Sequence, residues 1–460
     1  MRSISTIILG GGLTGLAAGY ALTKAGASTE IFEHDPAVGG LSKTISRNGF
    51  RFDLGGHRLF TKEPEIDALI RNLMGGELIT VPRHSKIFLR NKYFNYPLRP
   101  LNALFGMGIP TTVKIVEDYI AEKVRGLRQS PPQRSLEDWV VANFGRTMFD
   151  IYFREYSEKV WGIDCKRISA DWVAQRIKGL SLAGAIRNAF FKFSGREIPS
   201  LVDSFIYPQL GIGRIAERLK EEIEKDNPVH TGFPIVKVKH SRSAINSIET
   251  CAGHGAHYAS GNVFISSIPI TTLVRLLDPP PPAPVLIAAS KLMFRDLVVV
   301  AVMVDRKRAT DQTWIYVPEK KIPFGRIHEP TNWSEQMAPE GKTILVAEYF
   351  SFEGDRIWKA SDEQLCDITF RGLEQIGFIK RNEVLGSAVV RVKHAYPLFE
   401  IGYAEQCKVI YDYLSSFRNL HLAGRSGMFR YYNMDHAIGS GLRTAEEAMG
   451  NREWAIGMVA

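Results

Sequence analysis

Gly10, Gly12 and Gly15, in the run IILGGGLTG from Ile7 to Gly15, are the residues whose types and spacing most directly imply chemistry. In a G-x-G-x-x-G turn the first glycine bends the chain sharply and the second lets backbone approach a pyrophosphate. The third lets the following helix pack closely on its strand. The N-terminus of that helix, which follows the turn holding Leu13 and Thr14, offers free N–H groups and a positive dipole end to phosphates. Glu33, with His34 beside it, ends a second apolar segment about 20 residues past the glycines, where an acid accepts hydrogen bonds from ribose hydroxyls. Two more glycine pairs, Gly39-Gly40 before Leu41 and Ser42, and Gly55-Gly56 before His57, provide bent backbone that can lie against a bound ring. Near the C-terminus an apolar strand meets Gly424 and Arg425. Asn433, Met434 and Asp435 then open a helix that continues through Ile438, a second helix N-terminus that can aim N–H groups at a phosphate. Elsewhere no nucleophile–base pair and no P-loop occurs, and His57, His84, His328, His394 and His436 lack metal-ligand spacing. The reaction is therefore expected to be performed by a bound cofactor, with the protein supplying position and charge.

These groups need a strand–turn–helix–strand frame, and the apolar residues Ile4 to Leu9, the small-residue stretch Leu16 to Leu22 and the segment Glu30 to Phe32 provide it. At 460 residues the chain exceeds one ordinary core and predicts two or three subdomains. With 45% hydrophobic residues and no biased tract it reads as globular. The formal net charge of +9 suits an anionic substrate, an acidic membrane surface or nucleic acid. Absence of any block of five Lys or Arg, and of any nucleic-acid motif, removes nucleic acid from the expected partners. Cys165, Cys251, Cys366 and Cys407 lie far apart and read as free thiols in a reducing compartment. Beyond the N-terminus the longest apolar run, Leu297 to Val304, is about eight residues, short of the roughly 20 that span a bilayer. A cytoplasmic protein without a transmembrane segment is expected.

In chain order, His84 to Pro97 alternates as a β-hairpin turning at Asn91-Lys92. Helical spacing runs from Leu101 to Arg128, and Ser135 caps a helix expected to continue from Trp139 to Trp161. A further helix, Arg214 to Glu224, precedes short strands at Ile235–Val238 (holding Val236), Ile245–Thr250, His257–Ala259 and Asn262–Ser266, which return the chain to the nucleotide-binding sheet beside Ser267. Residues 279–284 read as a stiff proline-rich linker. Strands at Leu297–Val304 and Lys342–Phe350 flank a loop from Trp314 to Pro330, and a helix from Asp435 to Met449 closes the chain. The expected division is a nucleotide-binding domain from residues 1–96, 205–278 and 411–460, a helical substrate lobe at 97–204, and a β-rich substrate domain at 279–410.

Several segments together resemble the flavin-binding frame of amine oxidases, protoporphyrinogen oxidases and UDP-galactopyranose mutases. They are the glycine fingerprint with Glu33 and Gly39-Gly40, FDLGGHRLF (Phe52 to Phe60), Ser266-Ser267-Ile268-Pro269, and AGRSGMFRYYNMDHAIGSGL (Ala423 to Leu442). Within that superfamily, Tyr156-Ser157-Glu158-Lys159-Val160-Trp161-Gly162 is similar to the mutases' Tyr-Thr-Glu-Lys-x-Trp-Gly, and Phe94-Asn95-Tyr96-Pro97 to their Phe-Asn-x-Pro. The resemblance implies an α/β protein with a Rossmann-type FAD-binding domain, an inserted helical lobe and a mixed/antiparallel substrate-domain sheet. It implies FAD, active when reduced, as cofactor, and a nucleotide-diphosphate sugar as substrate. A flavin reductant such as NAD(P)H is implied as partner, with a homodimer left open. The reaction implied is pyranose–furanose isomerisation in polysaccharide or sugar-nucleotide biosynthesis, in which flavin N5 bonds to the sugar. Carried over by position, Arg176 and Arg326 would bind the diphosphate and act with His57 in catalysis. Tyr156, Trp161, Tyr349, Tyr396 and Tyr431 would line the substrate. The chain departs from the mutases at Leu41 (their asparagine), Gly56 (their alanine) and Asn433-Met434-Asp435 (their Asp-Met-His), and Trp314 to Pro318 reads like the oxidases. An FAD-dependent oxidase or desaturase therefore stands as the alternative.

Overall fold

The computed structural model describes residues 5–96, 108–128, 133–176, 204–253 and 255–450, apart from the side chains of 174–176 and 252. Ser5–Leu9 is the central strand of a five-stranded parallel sheet. Its neighbours are Val263–Ser266, then Leu420–Leu422, on one side and Ser28–Glu33, then Val229–Thr231, on the other. Side chains alternate across a strand, so Ile8 faces one core and Ile7 and Leu9 face another. Against the Ile8 face lie helices Leu13–Lys24, Gly213–Ile223 and Met434–Ala448, which contribute Leu16, Ile215, Leu219 and Ile438. The opposite core takes residues from helices Ile270–Leu276, Ala283–Lys291 and Tyr403–Leu414.

Phe294–Val304 and Thr343–Ser351 are buried along their whole lengths, as their near-continuous apolar runs require. They pair antiparallel as the second and third strands of a seven-stranded sheet, inside the edge strand Val384–Pro397. Only Trp314–Tyr316 and Ser85–Leu89 pair parallel within it, so the sheet is mixed as expected. The hairpin Ser85–Leu89/Lys92–Asn95 turns at Arg90-Asn91, both at positive φ, one residue earlier than the alternation predicts. It is hydrogen-bonded into this sheet rather than into the parallel one to which residues 1–96 were assigned. Strands Ile235–His240, Ile245–Ala252 and Gly255–Ser260 form a separate sheet with Leu277–Asp278, and of the predicted set only Val263–Ser266 joins the parallel sheet. The proline run is not simply a linker, because Pro282 and Pro284 start helix Ala283–Lys291.

The inserted lobe contains helices Ile109–Arg128, Leu136–Phe144, Glu155–Trp161 and Ala170–Arg176. Ser135 caps as predicted, with Asp138 N donating to Ser135 Oγ and Ser135 N to Asp138 Oδ2, both at 3.1 Å. The helix expected to run unbroken to Trp161 is interrupted at Gly145, at φ 86°. A Cβ there would stand 2.9 Å from Tyr119 N, so the close approach of helix Ile109–Arg128 requires the glycine. Helix then resumes through a π-helical turn, Phe149–Arg154. No helix among the described residues is long and apolar enough to cross a membrane.

Candidate active site

The glycine turn has the geometry of a dinucleotide cradle. Gly10 sits at φ 102°, and a Cβ on Gly15 would lie 1.9 Å from Gly10 O. Helix Leu13–Lys24 begins at Gly12 with no side-chain cap, leaving its first N–H groups to a ligand. Glu33, buried at the end of its strand, accepts from Gly11 N at 2.7 Å and Asp35 N at 2.9 Å, which fixes the carboxylate beside the turn. Gly39 N donates to Gly11 O, and a Cβ on Gly40 would come within 3.2 Å of Gly12 Cα, so the two glycine segments abut. Ser42 is buried just after them, with Leu41 half-buried between. Ser267 Oγ donates to Leu9 O at 3.0 Å and closes the other side of the turn. From the C-terminal segment, Gly424 N donates to Ser440 Oγ, and Cβ atoms on Gly424 or Gly441 would strike Thr14. Helix Met434–Ala448 likewise starts, at Asn433, without a side-chain cap. Met434 and Ile438 pack with Leu13 in the core, and Asp435 is buried with Oδ1 3.3 Å from His436 Nδ1. Two uncapped helix starts, a fixed acid and glycines that leave no room for side chains fit a long dinucleotide. His34 is exposed and paired to Asp35. Val236 is 45% exposed on strand Ile235–His240, and Phe233, two residues before that strand, donates its N–H to Glu33 O.

A second cluster, cationic and aromatic, forms where the helical lobe meets the seven-stranded sheet. Arg326 pairs with Glu348 Oε2 at 2.8 Å and donates from Nη2 to the Tyr396 hydroxyl at 2.6 Å, while its buried Nε has no partner. Arg425 lies over the rings of Tyr396 (4.8 Å) and Tyr431 (4.6 Å). It donates from Nη1 to Tyr432 O, and its buried Nε and Nη2 have no partner. Trp161 meets Tyr396 and Tyr431 edge-on, each at 6.3 Å, and those two rings stack at 6.2 Å. Burial pushes the Tyr156 hydroxyl well above its ordinary pKa although Arg326 opposes the shift, so it stays a neutral donor; Tyr396 shifts the same way for the same reasons. Burial lowers His57 to about 4, helped by Arg425, so the imidazole is uncharged at neutral pH. Burial works against the Arg326 cation, yet Glu348, Tyr396 and Tyr156 hold its pKa above the ordinary value. Glu348 pairs with Arg326 alone, and the buried guanidinium N–H groups of Arg326 and Arg425 that lack partners beside Tyr396 have the chemistry to take up an anion.

Among the residues the sequence nominated, the structure brings Tyr156, Trp161, Arg326, Tyr396, Tyr431, His57 and Arg425 together. Arg176 ends helix Ala170–Arg176, and its side chain lies outside the described residues. Tyr349 is a correction. Its hydroxyl bonds to Thr369 Oγ1 at 2.6 Å and its ring packs on Phe324, in the core beneath the sheet. Alternation along Thr343–Ser351 puts Glu348, not Tyr349, on the site face. Sequence reasoning did not nominate Glu348, nor Trp314, whose ring lies 5.3 Å from the Arg326 guanidinium, nor His328, whose Nδ1 is 3.7 Å from Glu348 Oε1. For Glu348 the signal was available, a lone acid within the apolar run Ile344 to Phe350. Among the described residues, no group of three or more His, Cys, Asp or Glu is placed to hold a metal.

This frame and cradle define a flavin-dependent oxidoreductase fold, and the chain belongs to the flavin containing amine oxidoreductase family, whose model matches residues 13–449. The protein is an enzyme of that family with FAD as its cofactor. Among solved structures it is similar to reduced UDP-galactopyranose mutase, with a TM-score of 0.84 and 23% identity over 97% of this chain and 96% of that one. It is also similar to a protein assigned as a protoporphyrinogen oxidase from Exiguobacterium sp. 255-15, with a TM-score of 0.74 and 18% identity over 97% and 99% of the two chains. By sequence it is similar to chloroplastic/mitochondrial protoporphyrinogen oxidase 2 of Arabidopsis thaliana, 24% identical over 202 residues, 41% of this chain and 40% of that protein. A shorter match, 32% over 108 residues, is to coproporphyrinogen III oxidase of Propionibacterium freudenreichii subsp. freudenreichii, covering 23% of this chain and 20% of that protein. The matches thus span less than half the length of these curated relatives.

Proposed function

We propose that the protein is an FAD-dependent isomerase of a nucleotide-diphosphate sugar, of the pyranose–furanose mutase type. The observation that carries this reading is the pair Arg326 and Arg425, in which the buried Nε of Arg326 and the buried Nε and Nη2 of Arg425 lack partners beside Tyr396 and Tyr431. A buried unpaired donor is costly, and more so when charged. A diphosphate has the charge and the acceptor oxygens to satisfy both forks. FAD, when bound and reduced, would supply an electron-rich nitrogen for glycosyl transfer without net redox change. The chain's own residues would hold the leaving diphosphate at Arg326 and Arg425, with Arg176 as a third cation. Tyr156 and Tyr396 would donate hydrogen bonds as neutral phenols, Trp161 would exclude water, and His57 would offer hydrogen bonds without adding charge. The likeness to reduced UDP-galactopyranose mutase over nearly the whole chain supports the reading.

The curated sequence relatives favour a second reading, an oxidase of a porphyrinogen, whose carboxylates are also anions. One experiment separates the two. Anaerobically reduced protein is incubated with a panel of UDP-sugars that includes UDP-galactose, and ring isomers are resolved by chromatography. Isomer formation well beyond the reductant supplied is expected. No isomer, together with stoichiometric oxidation of a porphyrinogen under O2, overturns the mutase reading. Arg425→Ala should weaken UDP binding by about 2 kcal/mol, the scale of charge-assisted hydrogen bonds.

A further inference from the structure

We propose that Lys159 is a positioning residue for the anion site: it clamps the helix bearing Tyr156 and Trp161 to the loop that delivers Arg326, and so sets the spacing between the aromatic and cationic walls. This rests on the diphosphate reading of that site. Lys159 Nζ donates to four backbone carbonyls, Val317 O at 2.9 Å, Glu319 O at 2.8 Å, and Ile322 O and Phe324 O at 2.7 Å each. All four lie on one irregular segment, residues 317–324, which ends just before strand Arg326–His328. An ammonium has three N–H donors, so at least one is shared between two carbonyls. Burial lowers the pKa of this group to about 7 against Glu155 and Glu319. Donation to four carbonyls is open only to the protonated form, and the geometry is that form's.

The clamp has further anchors on the same helix. Lys320 N donates to Glu155 Oε1 at 2.6 Å, and Lys320 Nζ pairs with Glu158 Oε2 at 3.0 Å. On its other side Val160 O accepts from Arg295 Nε at 3.0 Å, and Arg295 Nη2 donates to Phe350 O, on the strand that carries Glu348. Glu155–Trp161 is thereby tied to the segments that present Arg326 and Glu348. Residues on either side of Lys159 in this helix, Tyr156 and Trp161, face the site itself. Without the ammonium, four inward-facing carbonyls lose their common donor. Segment 317–324 would then be free to shift, and with it the 2.6 Å bond from Arg326 to Tyr396.

The test compares the FAD-loaded wild type with Lys159→Met and Lys159→Gln at about pH 6.5, reading UDP affinity by calorimetry alongside melting temperature and the flavin absorption spectrum. Expected is a loss of UDP affinity of tenfold or more in Lys159→Met. Lys159→Gln, which keeps two N–H donors, should show a smaller loss. A lower melting temperature with UDP affinity within twofold of wild type would make the residue merely structural and overturn the proposal. Should Lys159→Met fail to fold, Lys159→Gln decides, and wild-type affinity in it overturns the proposal equally. Wild-type protein that binds FAD but no UDP is a different outcome, because it removes the diphosphate reading on which the clamp's role rests.

Discussion

His328 packs with two indoles, 5.5 Å from Trp314 and 5.1 Å from Trp333, with planes inclined by 14° and 22°, and the indoles themselves stand 6.3 Å apart. Both its ring nitrogens are buried without hydrogen-bond partners. Burial lowers its pKa from 6.5 to about 3, with His57 and Arg326 adding to the shift. The sign follows directly. Between these values the unfolded chain takes up a proton that the folded chain refuses, so this residue withdraws stability as pH falls below about 6.5. His328→Phe keeps the stack and removes the titration. At about pH 5 the variant should have lost about 2 kcal/mol less stability, relative to neutral pH, than wild type. Urea unfolding across that pH range measures it, and parallel pH profiles for the two proteins would refute the assignment. The same stack explains a departure read in the sequence. A Cβ on Gly56 would fall 1.1 Å from Trp314 Cζ3, so the indole leaves no room in this chain for an alanine such as the mutases carry. Gly56 was legible as an oddity, but its cause lies some 260 residues away and has no local signature. Tyr349 shows the converse error. Its type fitted the expected substrate wall, whereas the alternation of its own strand, readable from Ile344 to Phe350, gives that face to Glu348.

Helix Leu13–Lys24 and helix Met434–Ala448 come together because small residues line their contact. A Cβ on Gly441 would stand 2.2 Å from Thr14 O and 3.0 Å from Ala17 Cβ. Separation of these helices sets how the glycine turn and the C-terminal helix start share one ligand. Gly441→Val should therefore push them apart, lowering stability by about 1–3 kcal/mol, the usual cost of overpacking. It should also reduce the FAD retained per chain after purification. Full flavin content at wild-type melting temperature would show that the contact tolerates a side chain. The C-terminal helix was readable to within a residue and the first through its small-residue stretch Leu16 to Leu22, although it starts earlier, at Leu13, since strand, glycine turn and small-residue helix are local signals with local physics. Gly145 was not, because the reason for its break is another helix pressing on it at Tyr119. Nor was the sheet membership of the Ser85–Asn95 hairpin. Alternation shows that a hairpin exists, but its partner Trp314–Tyr316 is chosen by long-range packing.

The parallel sheet draws its strands from the start, the middle and the end of the chain, with helical lobe and mixed sheet strung between them. Such a sheet cannot close until distant segments meet, and the entropy of closing long loops opposes it. The cradle residues come from the same scattered segments: Gly10 to Gly15 with Glu33, Ser267, and Gly424 to Ile438. A dinucleotide bound there contacts only the assembled state, so its binding free energy adds to folding free energy. With free FAD at about 1,000 times its Kd the gain is about 4 kcal/mol. Melting temperature should accordingly rise with added FAD and fall after the flavin is stripped. Loss of flavin circular dichroism should coincide with loss of the helical signal, since no one segment holds the ligand alone. Flavin release well below an unchanged melting temperature would show instead that the cradle opens locally, while the three-segment sheet holds together without its ligand.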